Sequence, residues 1–201
     1  MLGIEDTRGF GGSEHIYRVE VSPHREGLHP FVKGFYSQKN PREVVFTVPR
    51  GNRWTLNVSL GEGLGTTFKG DVELKGIGLP PGVTMAASRY PHGLRQMPVQ
   101  FIADTNAEPG VSFIQLIASA VDGTPLDGTP QQGFTLTDRR GGYTWHYVTV
   151  DKFALAVVDP APMHLECSTS NVSLPRNGEV TLDLRIVREK GADEPLELQA
   201  D

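Results

Sequence analysis

Short runs in which apolar and polar residues alternate cover most of the chain, and turn-forming residues separate them. The clearest run spans residues 54–60, where Trp54, Leu56, Val58 and Leu60 fall on one face of an extended strand. Alternation with a period of two, interrupted every few residues by Gly, Pro, Asn or Asp, is typical of antiparallel sheets. The pattern therefore predicts an all-β fold.

Turn residues and longer apolar runs indicate where individual strands begin and end. Leu79–Gly82 is a strong turn, because proline presets φ and glycine accepts a positive φ. Val111–Val121 is almost continuously apolar, which predicts a strand in the centre of a sheet. Phe134–Thr137 and Tyr143–Val150 flank an Asp-Arg-Arg-Gly-Gly sequence at 138–142, and this arrangement predicts a β-hairpin.

An internal repeat is the most informative feature of the chain. Val48–Val58 aligns with Leu174–Leu184 at an offset of 126 positions, and both segments contain a Pro-Arg turn followed by an alternating strand. Further on, Val72–Leu74 aligns with Leu196–Leu198 at an offset of 124 positions. Two matches at nearly one offset indicate two copies of a single kind of module, the second of which breaks off early.

Three segments carry a resemblance to repeated domains of large exported bacterial proteins. Residues 6–21, a Gly-rich stretch leading into a strand with Tyr-Arg, resemble the closing strands of a bacterial pre-peptidase C-terminal (PPC) domain. The Pro-Arg turn at 48–51, the Leu-Pro-Pro-Gly-Val turn at 78–84 and the Pro-Gly at 107–110 resemble bacterial immunoglobulin-like (NEW3-like) repeats. The resemblance implies β-sandwich domains in an exported, multidomain protein and brings no catalytic residues with it.

The repeat and the resemblance together predict immunoglobulin-like β-sandwich repeats, with one complete domain flanked by partial ones. Residues 1–22 are expected to be the tail of a PPC-like sandwich, and the stretch up to Pro30 a linker. Residues 31–160 form the complete immunoglobulin-like module, which ends in the stiff linker Asp159–Pro162. Residues 163–201 begin a second, truncated module, whose strand edges we expect to be unpaired in isolation.

Composition and charge exclude several classes of partner. The chain carries 19 basic and 24 acidic side chains, for a net charge of −5, and its basic residues form no stripe that could neutralise phosphates. Cys167 is the single cysteine, so that no internal disulfide can form. No stretch approaches the ~20 apolar residues of a membrane span. We therefore expect no nucleic-acid partner and no direct insertion into a membrane.

Candidate catalytic and metal sites are weak. The six histidines lack the spacing of a structural zinc site, and Cys167 lacks an accompanying His and Asn pattern. Asp122–Gly128 offers hard oxygens, as calcium loops do, but turn-forming Asp-Gly pairs explain it more simply. We expect no catalytic residue, no metal, no cofactor and no enzymatic activity, and a calcium site within 122–133 remains an open alternative.

The densest aromatic segment is the only candidate for a binding surface. Alternation places Tyr143, Trp145 and Tyr147 on one face and His146 and Val148 on the other. If the valine face entered the core, the three rings would form a surface able to bind a glycan or a protein. The simpler interpretation is that Trp145 lies in the core or beneath the polar insert that precedes the hairpin.

These observations predict a non-catalytic structural or interaction module of a large exported bacterial protein, a spacer or an adhesion-type repeat. Its partners would be neighbouring domains of the same polypeptide, and its location extracellular, at the cell surface or periplasmic. The alternative is an accessory carbohydrate- or protein-binding module attached to a secreted hydrolase, with the aromatic strand as its binding face.

Overall fold

The computed structural model describes residues 9, 12–14, 19, 21, 23–32, 45–62, 68–94, 96–139, 143–169, 172–195 and 197, excluding the side chains of 134–139 and 143–147. Strands and turns account for the regular structure of these residues, and none of them lies in a helix. The predicted all-β class is confirmed. The PPC-like tail predicted for residues 1–22 lies almost entirely outside the described residues.

The described residues form thirteen strands. In chain order they are β1 Glu26–Val32, β2 Val45–Pro49, β3 Arg53–Glu62, β4 Val72–Ile77, β5 Val83–Ala87, β6 Gln96–Ala103, β7 Gly110–Ala120, β8 Leu126–Asp127, β9 Gln132–Arg139, β10 Tyr143–Val150, β11 Phe153–Val158, β12 Met163–Cys167 and β13 Leu184–Arg188.

Two larger sheets contain nine of these strands. One has the order β5-β6-β3-β1-β8, in which β5, β6, β3 and β1 are antiparallel neighbours and β8 is parallel to β1. The other has the order β2-β11-β7-β4, in which β2 is parallel to β11 and the other pairs are antiparallel. The long apolar strand β7 lies between β11 and β4, as its composition predicts.

The core lies between the two sheets, because alternate side chains of each sheet point into it. Leu56, Val58 and Leu60 alternate along β3, and Ile114 and Leu116 along β7, and all five are buried. They belong to one cluster of buried apolar residues that draws on both sheets. Fully burying each such side chain contributes about 1.5–3 kcal/mol, so this facing pair of apolar surfaces stabilises the fold.

Trp54 departs from the three other residues of its alternating face. It lies at the start of β3, next to the turn, and remains 41% exposed. The alternation predicts the shared face correctly for the three buried positions but not the exposure of Trp54.

The linker expected up to Pro30 is wrong, because residues 26–32 form the buried strand β1 beside β3. Gly and Pro in this segment are typical of loops, which is why the sequence conceals the strand. The carbonyl of Pro30 accepts a hydrogen bond from the N–H of Gln131. A strand residue presents its N–H and C=O on the same side, so the missing N–H of Pro30 lies on that irregular edge and interrupts no ladder with β3.

Tyr90 connects the two sheets from a position outside the strands. Its backbone exchanges two hydrogen bonds with Val72 of β4, at 2.9 and 2.7 Å. Its phenol donates to the carbonyl of Val58 on β3 at 3.1 Å, and the residue is 1% exposed. Because the ring is buried, the pKa of Tyr90 is raised well above its ordinary value.

The polar insert that follows β7 is fixed to the sandwich at several points. The N–H of Ala118 donates to the carbonyl of Gly128 at 3.0 Å. The buried ring of His29 lies 2.8 Å from the carbonyl of Thr129 through Nδ1, which therefore carries the proton. The insert thus closes the end of β1 and does not extend into solvent as a free loop.

The hairpin predicted between residues 134 and 150 is confirmed as the antiparallel pair β9–β10. A second antiparallel pair, β12–β13, follows the Asp159–Pro162 linker. This C-terminal segment exposes large apolar side chains, namely Leu165, Val172, Leu174, Val180, Leu182 and Leu184. In the C-terminal segment these apolar side chains are therefore not covered by any of the described residues.

Candidate functional site

The aromatic strand β10 is less regular than the sequence predicts. Its pairing with β9 shifts register between Thr144 and His146 and again between His146 and Tyr147. Trp145 is the extra residue of the first β-bulge, and a bulge interrupts the strict alternation on which a shared face depends. The side chains of Tyr143, Trp145 and Tyr147 lie outside the described residues, so their common face stays a prediction.

The valine face of β10 is relevant to the predicted aromatic surface on the other face. An aromatic surface requires that the valine face enter the core, yet Val148 is 36% exposed. Val150, at the end of the strand, is half-buried. Burial of the valine face is therefore incomplete at the one described position closest to the aromatic residues.

The carboxylates of the polar insert are engaged in local turns. Asp122 accepts a hydrogen bond from the N–H of Thr124 at 2.9 Å, and Asp127 accepts one from Thr129 at 3.2 Å. The hydrogen bonds from Thr124 lower the pKa of Asp122. Burial raises the pKa of Asp127, but its hydrogen bonds with Thr129 and nearby positive charges outweigh this and lower it. Both are the side-chain-to-backbone turns that Asp-Gly sequences favour.

No group of three or more His, Cys, Asp or Glu side chains in the described residues is arranged to hold a metal ion. Cys167 is exposed, and His164 lies 3.3 Å from Glu166 at the surface. The described part of the chain also contains no helix long and apolar enough to cross a membrane. Polar contacts also converge on the turn that precedes β3.

The turn at Pro49–Asn52 has the geometry of a type II turn. The N–H of Asn52 donates to the carbonyl of Pro49 at 3.1 Å, and Gly51 has a φ of 70°. A positive φ at the third residue is what this turn type requires, and glycine adopts it without steric cost. Gly51 also donates its N–H to the carbonyl of Ala103, which fixes the turn to the end of β6.

The second copy of the turn repeats this geometry. The N–H of Gly178 donates to the carbonyl of Pro175 at 2.9 Å, and Asn177 has a φ of 61°. Asn177 is 126 positions after Gly51, and asparagine is among the non-glycine residues that best tolerate this conformation. The repeat is therefore present in backbone conformation as well as in sequence.

The first turn contacts the segment that leads to the second copy. The N–H of Arg50 donates to the carbonyl of Val158, the last residue of β11, at 3.1 Å. The Nη2 of Arg50 lies 3.0 Å from Oδ1 of Asp159, and Nδ2 of Asn52 lies 3.4 Å from the carbonyl of Met163. Sequence reasoning identified this turn as a repeat marker but missed these contacts, because they join residues more than 100 positions apart.

A cleft lies between the outer face of the five-stranded sheet and the β12–β13 pair. Arg53 and Thr55 of β3 and Gln100 of β6 line one side. The other side is formed by residues of the second copy, among them His164, Leu165 and Ile186. The lining of the cleft is mixed polar and apolar.

Comparison with known proteins gives structural similarities only. No protein-family model and no curated protein matches the chain. "Structure of surface layer protein SbsC, domains 1-6" matches with 16% identity and a TM-score of 0.36, covering 88% of this chain and 19% of that one. "Crystal structure of the S-layer protein rSbsC(31-844)" matches with 13% identity and a TM-score of 0.36, covering 86% and 22%.

The chain thus spans about a fifth of the length of each of these two solved chains. Similarities at this level of identity and TM-score establish neither a shared fold nor a shared function. The function is therefore argued from the residues of this chain.

Proposed function

We propose that the chain is part of a tandem array of immunoglobulin-like β-sandwich modules that serves as a non-catalytic spacer or adhesion-type segment of a large exported bacterial protein. The observation that carries the proposal is the repetition of the Pro-Arg turn at Pro49–Asn52 and Pro175–Gly178, with the same hydrogen bond and the same left-handed third residue. A structure that repeats along a chain, with proline-rich linkers, is suited to spacing and presenting other domains.

The strand order supports the immunoglobulin-like assignment. In that fold the first, second, fifth and fourth strands form one sheet, and the third, sixth and seventh form the other. Here β1-β3-β6-β5 face β4-β7-β11, and β2 extends the second sheet beside β11. The insert between β7 and β11, which contains the β9–β10 hairpin, is a departure from the plain fold.

The pairing of β12 with β13 supports a second module. Met163 pairs with Arg188 as Leu28 pairs with Glu62, and Arg188 follows Glu62 by 126 positions. The pair therefore reproduces the way β1 meets the second half of β3. The exposed apolar side chains of residues 165–184 are those that the remaining strands of a complete sandwich would cover.

The proposed domains follow from these pairings. The complete module, expected at 31–160, is extended to begin at Glu26, because β1 pairs with β3. A second module begins at 163, and the PPC-like assignment of residues 1–22 rests on sequence resemblance alone. The bacterial, exported setting also rests on that resemblance.

An accessory carbohydrate- or protein-binding module is the second candidate function. The observation that favours it is the β-bulge at Trp145, since bulges re-aim side chains beside binding sites. Quenching of tryptophan fluorescence in wild type and in a Trp54→Phe variant would report on Trp145, and a glycan that protects it would support this candidate.

The reading frame that contains the chain tests the array. We expect coding sequence on both sides, with further Pro-Arg turns spaced by about the length of one module, and protease-accessible modules on intact cells. A frame that starts at Met1 and stops after Asp201 would overturn the proposal, as would a protein retained in the cytosol.

A further inference from the structure

The Pro49–Asn52 turn makes contacts with three successive segments that lead out of the first module. The backbone N–H of Arg50 continues the β2–β11 ladder by one hydrogen bond to Val158. Its guanidinium meets the carboxylate of Asp159, the first residue of the linker. The side chain of Asn52 reaches the carbonyl of Met163, the first residue of β12. One turn thus contacts the end of one module, the linker and the start of the next.

The linker is held at its far end as well. The N–H of Glu189, just after β13, donates to the carbonyl of Pro162 at 2.9 Å. Pro160 and Pro162 each fix φ and restrict the residue before them, so that the four linker residues have little conformational freedom. A linker that is short, stiff and bound at both ends restricts the orientation of the β12–β13 pair relative to the first module.

The side chain of Arg50 is suited to this position. It is only 30% exposed, although Asp159 is 86% exposed, so the arginine is packed against the module while the aspartate reaches it from the linker. The ion pair alone contributes little at such an exposed carboxylate. The ion pair instead restricts geometry. Together with the backbone hydrogen bond to Val158, it fixes the direction in which the linker leaves the first module.

We infer that the Pro49–Asn52 turn is the docking surface for the next module along the chain and sets the angle between consecutive modules. This inference rests on the proposed array and names the partner of each module, a second module of the same kind. The repeated turn at Pro175–Gly178 would then receive the linker at the end of the second module, and we expect an acidic residue there, as Asp159 is here.

Cys167 provides a test in the chain as it exists. It is the single cysteine and is exposed, and it lines the cleft together with Gly51, Arg53 and Ile102. A nitroxide attached to Cys167 should broaden the amide resonances of those three residues in an NMR spectrum. The amide of Glu62, at the opposite end of β3, should keep its intensity.

Two variants that remove contacts of the Pro49–Asn52 turn should weaken this broadening. Asp159→Asn removes the ion pair and lies outside every strand, so it should leave the fold intact. Combining it with Asn52→Ala removes the contact with Met163 as well, and the broadening at Ile102 should then be largely lost. Arg89→Met is the matched control, because it removes a similar exposed ion pair, with Asp71 at 2.9 Å, elsewhere in the module.

The outcomes distinguish a failure of the inference about the Pro49–Asn52 turn from a failure of the proposed array. Absence of broadening at Gly51, Arg53 and Ile102 in the wild type would overturn the inference, even in a protein that proves to be an array. Broadening that the double variant leaves unchanged would also overturn it, because the turn would not be the element that holds the segment. Broadening lost in the double variant and kept in Arg89→Met supports the inference, whereas a flanking reading frame without further repeats would count against the proposed array and not against the contacts of this turn.

Discussion

Gln132 completes the hydrogen bonding of Val32, a residue 100 positions earlier in the chain. Its side-chain Oε1 accepts the N–H of Val32 at 2.8 Å, and its Nε2 lies 3.5 Å from the carbonyl of the same residue. Both residues are buried. A side-chain amide thus takes the place of a neighbouring strand at the end of β1, where a buried backbone group would otherwise lack a partner.

Replacement of Gln132 by Ala should destabilise the module by about 1–3 kcal/mol, because the buried N–H of Val32 loses its acceptor. Urea unfolding followed by circular dichroism measures this change. Gln131→Ala is the control, since that side chain is exposed and only its backbone contacts Pro30. Equal effects of the two substitutions would contradict the role assigned to the amide.

The buried phenol of Tyr90 should make the stability of the protein fall in alkaline solution. Burial raises its pKa, so the folded state keeps a proton that the unfolded state releases above about pH 10, the ordinary value for tyrosine. The unfolded state then binds fewer protons, and the free energy of unfolding falls by up to about 1.4 kcal/mol per pH unit from this group.

Tyr90→Phe tests that dependence. Near neutral pH it should cost about 1 kcal/mol, because the carbonyl of Val58 loses its phenol donor. Above pH 10 the gap between the two proteins should narrow, since the variant lacks the ionisable group. Parallel stability curves for wild type and variant between pH 8 and pH 11 would disprove the assignment to Tyr90.

Gly128→Ala should lower the stability by more than about 2 kcal/mol. A Cβ at this position would collide with the backbone carbonyl of Ala118, in the strand to which Gly128 is hydrogen-bonded. The backbone cannot move away without breaking that bond. Gly110→Ala is the control, because a Cβ there meets no atom within 4 Å, and thermal unfolding should separate the two variants clearly.

The left-handed position of the repeated turn should accept asparagine better than a branched residue. Gly51→Asn copies the residue found at the equivalent Asn177, which has a φ of 61°. Gly51→Val places a β-branched side chain in the same conformation and should cost about 1–2 kcal/mol more than Gly51→Asn. A smaller loss of stability in Gly51→Val than in Gly51→Asn would contradict the equivalence of the two turns.

Local pattern predicts the strands of this fold better than it predicts their partners. The apolar run of β7 and the β9–β10 hairpin follow from residues close together in sequence, and both predictions are confirmed. The strand β1 was missed because Gly27 and Pro30 give it the composition of a loop. Its stability comes from β3 and from Gln132, which lie far away in sequence and leave no local signal.

In the candidate sites, too, local sequence predicts the element but not its long-range contacts. A turn at 49–52 is evident from Pro-Arg-Gly-Asn, yet its contacts with Asp159 and Met163 depend on the path of the whole module. In β10 a period of two predicts one aromatic face, but the bulge at Trp145 adds a residue that no periodicity reveals. The contacts of the turn at 49–52 and the bulge in β10 both involve a partner that lies in another strand or segment, and the local sequence gives no signal for them.

Because β2 pairs in parallel with β11, the chain enters and leaves one module at opposite ends. Because β1 is antiparallel to β3 and β11 is parallel to β2, the polypeptide enters beside Glu62 and leaves beside Arg50, in the turn before the other end of β3. The ten residues of β3 cover about 33 Å at about 3.3 Å per residue. In the proposed array, each duplication of a module would therefore add about this distance between the two ends of the array.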